Sequence, residues 1–348
     1  MKSKIFQCET ITPMFLAGAD ATNPELRAPS IKGVLRFWWR AMNGHLSLKE
    51  LHEKEKKIFG GGGDSECGRS LFSIKVDYRP QDFKKSKDPF PKHPMPPDRR
   101  GRSPNILEYL AYGTLAWNKE KKQNIFIRPY VPSGFRFNLS LMFQTGIEEC
   151  IEKEIIESFK IFRLFGGLGV RSRNGFGSIY ADIKESPFDV FKRLKECNNQ
   201  NVKGFPSFSK NVRLWKTKET YKTWDEALAV IGIAYHQSRI GLEEKHTYKK
   251  RQYIGSPIIG ANGNISILPR HAKPYFLKVS KEGSGYVSYI LYLPSRYVEG
   301  IQHIKDKEIN EIYRQKRDRL DDNIFQSVCK EFNDKLANYN KNKLIEVG

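Results

Sequence analysis

In the stretch Phe135-Arg136-Phe137-Asn138-Leu139-Ser140-Leu141-Met142-Phe143, side chains alternate by side. Phe135, Phe137, Leu139, Leu141 and Phe143 fall on one side; Arg136, Asn138, Ser140 and Met142 fall on the other. A period of two predicts a strand with one buried face. Directly after it, Glu148 to Phe165 places Ile151, Ile155, Phe159 and Phe162 on one helical stripe. Upstream, Phe72, Ile74 and Val76 alternate with Ser73, Lys75 and Asp77, a second strand. Before that, Ile31, Leu35, Trp38 and Met42 recur at i, i+4, i+7 and i+11, the core face of a helix beginning near Ser30. Pro29-Ser30 is the expected N-cap. Lys4–Thr12 reads as a further strand, and Gly177–Ile183 as the last, with Ile179, Ala181 and Ile183 inward. The order strand, helix, strand, strand, helix, strand is the split arrangement of a ferredoxin-like (RRM-like) βαββαβ domain.

That domain accounts for residues 1–185, with an insertion over about 79–124. Seven of the eighteen prolines lie within Pro80–Pro104, and Arg79–Arg102 holds eight basic residues against three acidic ones. Such composition predicts a mobile basic loop that buries little. A boundary is expected at Glu185–Pro187. Residues 186–348 then offer a strand at Val212–Lys216 and a helix marked by Trp224, Leu228, Ile231 and Tyr235. Strands are expected at Ile265–Leu268, Tyr275–Val279 and Tyr286–Leu293, a long helix within Lys307–Asn338, and a closing strand at Leu344–Val347. The fold class expected is therefore α+β, tandem ferredoxin-like domains, the second degraded and ending in a long helix.

Sixty Lys and Arg against thirty-nine Asp and Glu give a net charge of +21, which repels itself in a compact chain and predicts a polyanionic partner. Five cysteines lie far apart with no C-x-x-C pair, so reduced thiols in the cytoplasm are expected rather than a disulfide framework or zinc site. Seven histidines show no metal-ligand spacing, and neither metal nor cofactor is expected. The longest apolar stretch, Ala227–Tyr235, is too short to span a bilayer, so no membrane partner is expected.

The densest chemical signal is Phe165-Gly166-Gly167-Leu168-Gly169-Val170-Arg171-Ser172-Arg173-Asn174-Gly175-Phe176-Gly177. Glycine lets backbone N–H groups approach an anion, and Arg171 and Arg173 add forks that match phosphate. Gly166, Gly167, Gly169, Arg171, Ser172, Arg173 and Asn174 are thus candidate contacts; the alternative is an ordinary glycine-rich connector. Gly175-Phe176-Gly177 resembles part of an RNP1 motif, but Ser178 and Ala181 stand where stacking aromatics belong. The second signal is the first helix. Lys32 in its first turn opposes the helix dipole unless an anion sits there, held by Ser30, Lys32 and free N–H groups. Lys32, Arg36 and Arg40 form a basic stripe, with Arg27 nearby. Trp39 is read as core in preference to a stacking platform. Gly60–Gly63 lacks the Lys-Ser/Thr of a P-loop and reads as a linker. In the second half His246-Thr247-Tyr248-Lys249-Lys250-Arg251 and Arg270-His271-Ala272-Lys273 are basic patches, from which Lys250, Arg251 and Arg270 are candidate contacts. Asp20 and His45 are the acid and imidazole a ribonuclease could use, yet no paired set points at one spot.

These motifs resemble the RAMP superfamily of CRISPR-associated proteins, most closely members serving in Cmr (type III-B) effector complexes. The resemblance is carried by Gly166–Gly177 and by the segment from Ile11 to Asp20. It continues in Pro24-Glu25-Leu26-Arg27-Ala28-Pro29-Ser30-Ile31-Lys32-Gly33-Val34-Leu35-Arg36-Phe37-Trp38-Trp39-Arg40, and extends to Tyr253–Ile258 and Arg270–Val279. It implies tandem ferredoxin-like domains with a basic cleft that helps hold guide RNA, near its 3′ end, and target RNA beside other RAMP subunits, while another subunit cuts. The long proline-rich insertion departs from the pattern. Two competing expectations are a metal-independent endoribonuclease processing guide precursors, and an interaction module whose basic surface meets acidic protein.

Overall fold

The computed structural model describes residues 2–18, 23–61, 68–97, 101–198, 200–244, 247, 249–255, 259–260, 263–264, 271–297, 321–339 and 341–347. The first half runs β1 (Ser3–Thr10), α1 (Ala28–Met42), α2 (Leu48–Phe59), β2 (Phe72–Asp77), α3 (Ile106–Leu110), β3 (Leu115–Asn118), β4 (Gln123–Phe126), β5 (Arg136–Phe143), α4 (Glu149–Phe165) and β6 (Ile179–Ala181). The second runs α5 (Pro187–Cys197), β7 (Arg213–Thr217), α6 (Trp224–Ile240), α7 (Arg251–Ile254), β8 (Ile259–Gly260), β9 (Gly263–Asn264), β10 (Tyr275–Glu282), β11 (Gly285–Tyr292), α8 (Asp322–Tyr339) and β12 (Leu344–Val347).

Two four-stranded sheets result, in spatial order β2-β5-β1-β6 and β10-β11-β7-β12, with every neighbour antiparallel. Within each half the second strand lies at one edge, the third beside it, then the first, then the fourth. The second sheet thus has four strands in the same order as the first, and the degraded second half expected from sequence is not what forms. The expected strand at Ile265–Leu268 and residues 307–320 of the long helix lie outside the described residues.

The register explains the layering. Phe6 faces Leu139, Ile74 faces Leu141 and Cys8 faces Phe137, so the apolar side of the first sheet is continuous. It is covered by α1 through Ile31, Leu35 and Trp38, and by α4 through Ile155, Phe159 and Phe162. The other side of these helices meets the second sheet. Phe276 of β10 stands 5.3 Å from Trp38 and 5.8 Å from Phe37, and Tyr289 and Leu291 of β11 join the same core. The opposite face of the second sheet, with Tyr275, Leu277, Ile290 and Trp215, packs on α6 and α8. Sheet, helices, sheet, helices is therefore the order of layers.

Three local expectations are corrected. The cap of α1 is Arg27, with Pro29 in the first turn; Ser30 lies inside the helix and caps nothing. The insertion is ordered wherever it is described, because its apolar residues have a place to go. Phe90, Met95, Ile106, Leu107 and Leu110 are buried with α6 residues in the second core, and His93 Nε2 sits 2.6 Å from Asp225 Oδ2 at the start of α6. Finally, α5, beyond the expected boundary, returns Val190, Phe191 and Leu194 to the first core.

Candidate nucleic-acid interface

The glycine-rich loop fills the seam between the two halves. It leaves α4 at Gly166, passes under Phe15 and lies along the free edge of β10, where the Leu277 N–H donates to the Arg173 carbonyl at 3.1 Å. Six of its backbone donors are occupied. The N–H groups of Gly166, Leu168, Val170, Asn174, Gly175 and Gly177 all donate to carbonyls of this chain. Close approach is what requires glycine here. At Gly177, φ is +65° and a Cβ would lie 1.9 Å from the Leu168 carbonyl oxygen; at Gly169, φ is +85° and a Cβ would lie 2.2 Å from that of Phe15. The same close packing holds at Gly167, whose Cβ would strike the Phe176 carbonyl.

The loop's side chains divide. Arg173 is buried: its Nη1 donates to the Lys273 carbonyl at 2.5 Å, and its guanidinium lies 4.5 Å over the Phe276 ring. Burial lowers its pKa to about 10. Asn174 Nδ2 donates to the Leu110 carbonyl at 2.6 Å, which ties the insertion to the seam. Arg171 has φ of +63°, and its guanidinium rests where a Cβ of Gly113 would be. Ser172 is half-buried beside it.

On α1, the sequence-predicted stripe is present and shares one carboxylate. Arg36 Nε lies 3.4 Å and Arg40 Nε 3.7 Å from Glu55 of α2. Arg36 also donates to the Gly60 carbonyl at 2.7 Å. Lys32 Nζ donates to the Phe72 carbonyl at 3.3 Å and sits 5.0 Å from the Phe72 ring centroid. Partial burial, and then the Arg36 charge, lower the Lys32 pKa. Three cations against Glu55 leave the stripe positive, the condition an anion would relieve. The helix terminus contributes less than expected: Ser30 is exposed, its N–H and that of Ile31 return to the Arg27 carbonyl, and Pro29 has none. No acidic residue occupies the first turn. Arg27 stands 3.8 Å from Glu25.

Two of the second-half candidates are engaged in ion pairs of their own half. Lys250 pairs with Glu331 at 2.7 Å, and Arg251 with Glu243 at 3.2 Å in a nearly closed pair. Arg270, His246, Tyr248 and Asp20 lie outside the described residues. His45 receives Asn198 as neighbour, its N–H 3.2 Å from Asn198 Oδ1, and lines a shallow pocket with Cys197 and Glu157. Glu157 there is engaged by Arg193 and Lys160. Trp39 is core, fully buried, with its Nε1 donating to Glu154.

Sequence reasoning missed the tip of the insertion. The β3–β4 hairpin presents Trp117, 62% exposed, above a turn carrying Lys119, Lys121 and Lys122. An exposed ring flanked by lysines is the pattern of a single-strand stacking platform. The short apolar run Leu115-Ala116-Trp117 before a polar turn was the available signal, hidden inside a segment whose proline content suggested no structure.

Comparison with known proteins agrees with this architecture. The family model of the RAMP superfamily matches residues 7–180, half of the chain. The CRISPR system Cmr subunit Cmr1-2 of Pyrococcus furiosus is 30% identical over 186 residues, 51% of this chain and 95% of that protein. Subunit Cmr1-1 of the same organism is 29% identical over 182 residues, 50% of this chain but only 46% of that longer protein. The crystal structure of Cmr1 from Pyrococcus furiosus in its apo form aligns over 85% of this chain and 89% of its own, with a TM-score of 0.54 and 21% identity. The fold is shared, and the chain belongs to the RAMP superfamily.

Proposed function

We propose that this RAMP-superfamily chain is a non-catalytic, RNA-holding subunit of a type III-B CRISPR (Cmr) effector complex, with guide RNA, target RNA and other RAMP subunits as partners. Its two sheets, each ordered second, third, first, fourth with antiparallel neighbours, support tandem ferredoxin-like domains. The relatives named as Cmr subunits support the setting. The observation that carries RNA holding is the α1 stripe: Arg36 and Arg40 share the carboxylate of Glu55, and Lys32 one turn before them is bonded, among the described residues, only to the Phe72 carbonyl, in a chain of net charge +21. Guanidinium groups aligned at i and i+4 contact phosphates without reading bases.

Fluorescence anisotropy with a labelled single-stranded RNA tests this. Binding should show little base preference and should weaken as salt rises. Each lost phosphate contact lowers the log–log salt slope by about 0.7 on a single strand. R36A/R40A should flatten that slope by roughly 1.4 if both arginines contact phosphate. An unchanged slope would remove the stripe from the interface. The endoribonuclease reading is favoured by the imidazole of His45, which lines a pocket, and predicts repeat-RNA cleavage in EDTA that H45A abolishes.

A further inference from the structure

A second concentration of cations lies away from α1, where the end of α6, the glycine-rich loop and the residues entering β10 meet. Its centre is Lys273. The ammonium is fully buried 3.9 Å over the Tyr235 ring, and its Nζ has no hydrogen-bond partner. Arg173 of the loop donates to the Lys273 backbone carbonyl, and Arg239 of α6 donates to the Tyr109 hydroxyl at 3.3 Å. Arg173, Arg239 and Arg171 all act on Lys273 with like charge. Two imidazole nitrogens nearby, His271 Nε2 and His236 Nδ1, are also buried without a partner. The carboxylate of Glu243, after α6, is bonded by Arg251 and also faces Arg239. None opposes Lys273 among the described residues. Residues 256–270, which lead into this segment, contain neither Asp nor Glu.

Burying an amine among three guanidinium groups without a counter-charge is unfavourable unless something supplies the charge. A lysine kept only for packing would be better replaced by an apolar residue. We propose that Lys273, with Arg171 and Arg239 beside it, forms a binding site for a phosphate-class oxyanion. A tetrahedral oxyanion offers several acceptor oxygens, enough for an ammonium, two guanidinium forks and an imidazole N–H. Charge and chemistry then agree: the anion supplies the negative charge that the described residues around Lys273 lack. Without the anion, burial and then the three arginines hold the Lys273 pKa well down; burial, then Arg173, holds His271 near 4, and burial, then Arg239 and Arg251, holds His236 near 4. Binding raises these values, so the site takes up protons as it fills. The site does not depend on the RNA-holding reading, because a free phosphate and a phosphate on a nucleic-acid chain present the same chemistry.

The test uses the full chain with inorganic phosphate, followed by thermal unfolding and by calorimetry in buffers of different ionisation enthalpy. At about 100 times Kd, phosphate should raise Tm by roughly 3–6 °C relative to chloride at equal ionic strength. It should also show net proton uptake. K273M should fold, unliganded, with an unchanged or higher Tm and should lose the phosphate effect; R171A should weaken it about tenfold or more. A phosphate shift no larger than that of chloride, or an equal shift in K273M, overturns the proposal. The source of the phosphate follows from competition. If phosphate displaces a short RNA bearing a terminal phosphate but not its unphosphorylated twin, the site serves a chain end. If it displaces neither, a free anion is the ligand. Absence of any RNA binding would remove the RNA-holding reading and leave the phosphate result intact.

Discussion

Replacing Gly177 by alanine separates a packing role of the glycine-rich loop from a phosphate-cradling one. In the wild type, φ at Gly177 is +65°, a region that costs an L-residue roughly 1–2 kcal/mol. Steric overlap costs more. The new Cβ would lie 1.9 Å from the Leu168 carbonyl oxygen and 2.8 Å from its carbon, so that peptide must move by more than an ångström. The movement breaks two buried bonds of 2.9 Å, Leu168 N–H to Gly177 O and Gly177 N–H to Pro13 O. Each is worth about 1 kcal/mol net, and more where a partner is left unsatisfied. The sum is roughly 3–6 kcal/mol, a large share of the stability of a typical domain. Gly134→Ala is the control: φ there is +86°, yet nothing lies within 4 Å of the added carbon. It should cost only about 1–2 kcal/mol. Urea unfolding followed by tryptophan fluorescence reads both, since Trp38 and Trp215 are buried on either side of the seam. If the two variants differ by less than about 1 kcal/mol, close packing is not what the loop requires. G177A losing RNA affinity at unchanged stability would likewise refute the packing account and restore the cradle.

Phe276→Ala should remove the contact with Trp38, Phe37 and Arg173 and cost about 3–5 kcal/mol in the same unfolding assay. His93→Ala should release the insertion from Asp225 and raise proteolytic nicking within residues 79–105 roughly tenfold, the worth of one charge-assisted bond, measured by limited trypsin digestion. Burial raises the thiols of Cys8 and Cys329 to about 12, so at pH 8 they should react with a thiol reagent only on unfolding, whereas exposed Cys150 and Cys197 react at once. Burial, and then neighbouring arginines, depress His236 and His271 to about 4 from 6.5. Below pH 6.5 the unfolded chain binds these protons first, so stability should fall as pH drops from about 6.5 to about 4, by up to roughly 3 kcal/mol per histidine. A flat acid limb in urea midpoints would contradict this.

The strands and helices of the first βαββαβ order were legible because their periods are unbroken, Phe135 to Phe143 at two and Ile151 to Phe162 at three and four, whereas α2 and α5 were not read. What the sequence could not show is which surface each element meets second. Phe37 and Phe276 are each readable as core, but nothing in their spacing says they pack against each other across two domains. The same limit applies to the loop. Glycines that admit a phosphate and glycines that admit a neighbouring carbonyl have one signature, and Gly169 and Gly177 proved to be the second kind. Arg173 followed them inward. The insertion was misread for a different reason. Its proline content masked the buried positions Phe90, Met95 and Ile106, whose partners lie on α6, more than a hundred residues away. The α1 stripe was found because helical spacing alone placed Lys32, Arg36 and Arg40 on one face; the shared carboxylate Glu55 needed the structure.

The layering restricts how such a chain can meet RNA. A sheet that reads bases needs an open face with aromatic rings on its central strands. In the second sheet that face is closed: Phe276, Lys278, Tyr289 and Leu291 are buried against the first half, and Lys278 Nζ donates to the carbonyls of Gly166 and Ile179. The first sheet does keep an outward face, but the register puts Ile5, Gln7, Asn138, Arg136 and Lys75 on it. Glu9 of that face is held by Lys281 at 2.7 Å and Arg136 at 3.6 Å, and the ring present on β6, Tyr180, is half-buried beside Lys281. Neither sheet therefore offers the exposed central rings of a base-reading platform. Charge is instead carried on helix faces and loop ends: the α1 stripe, the Lys273 cluster and the lysines around Trp117. On the RNA-holding proposal, side chains placed this way would meet phosphates at several separated points along a strand, and such contacts fix position without selecting sequence. A single substitution at any one of them should then weaken binding by a similar factor for every RNA sequence, whereas a change confined to one base composition would require a reading surface that neither sheet leaves open.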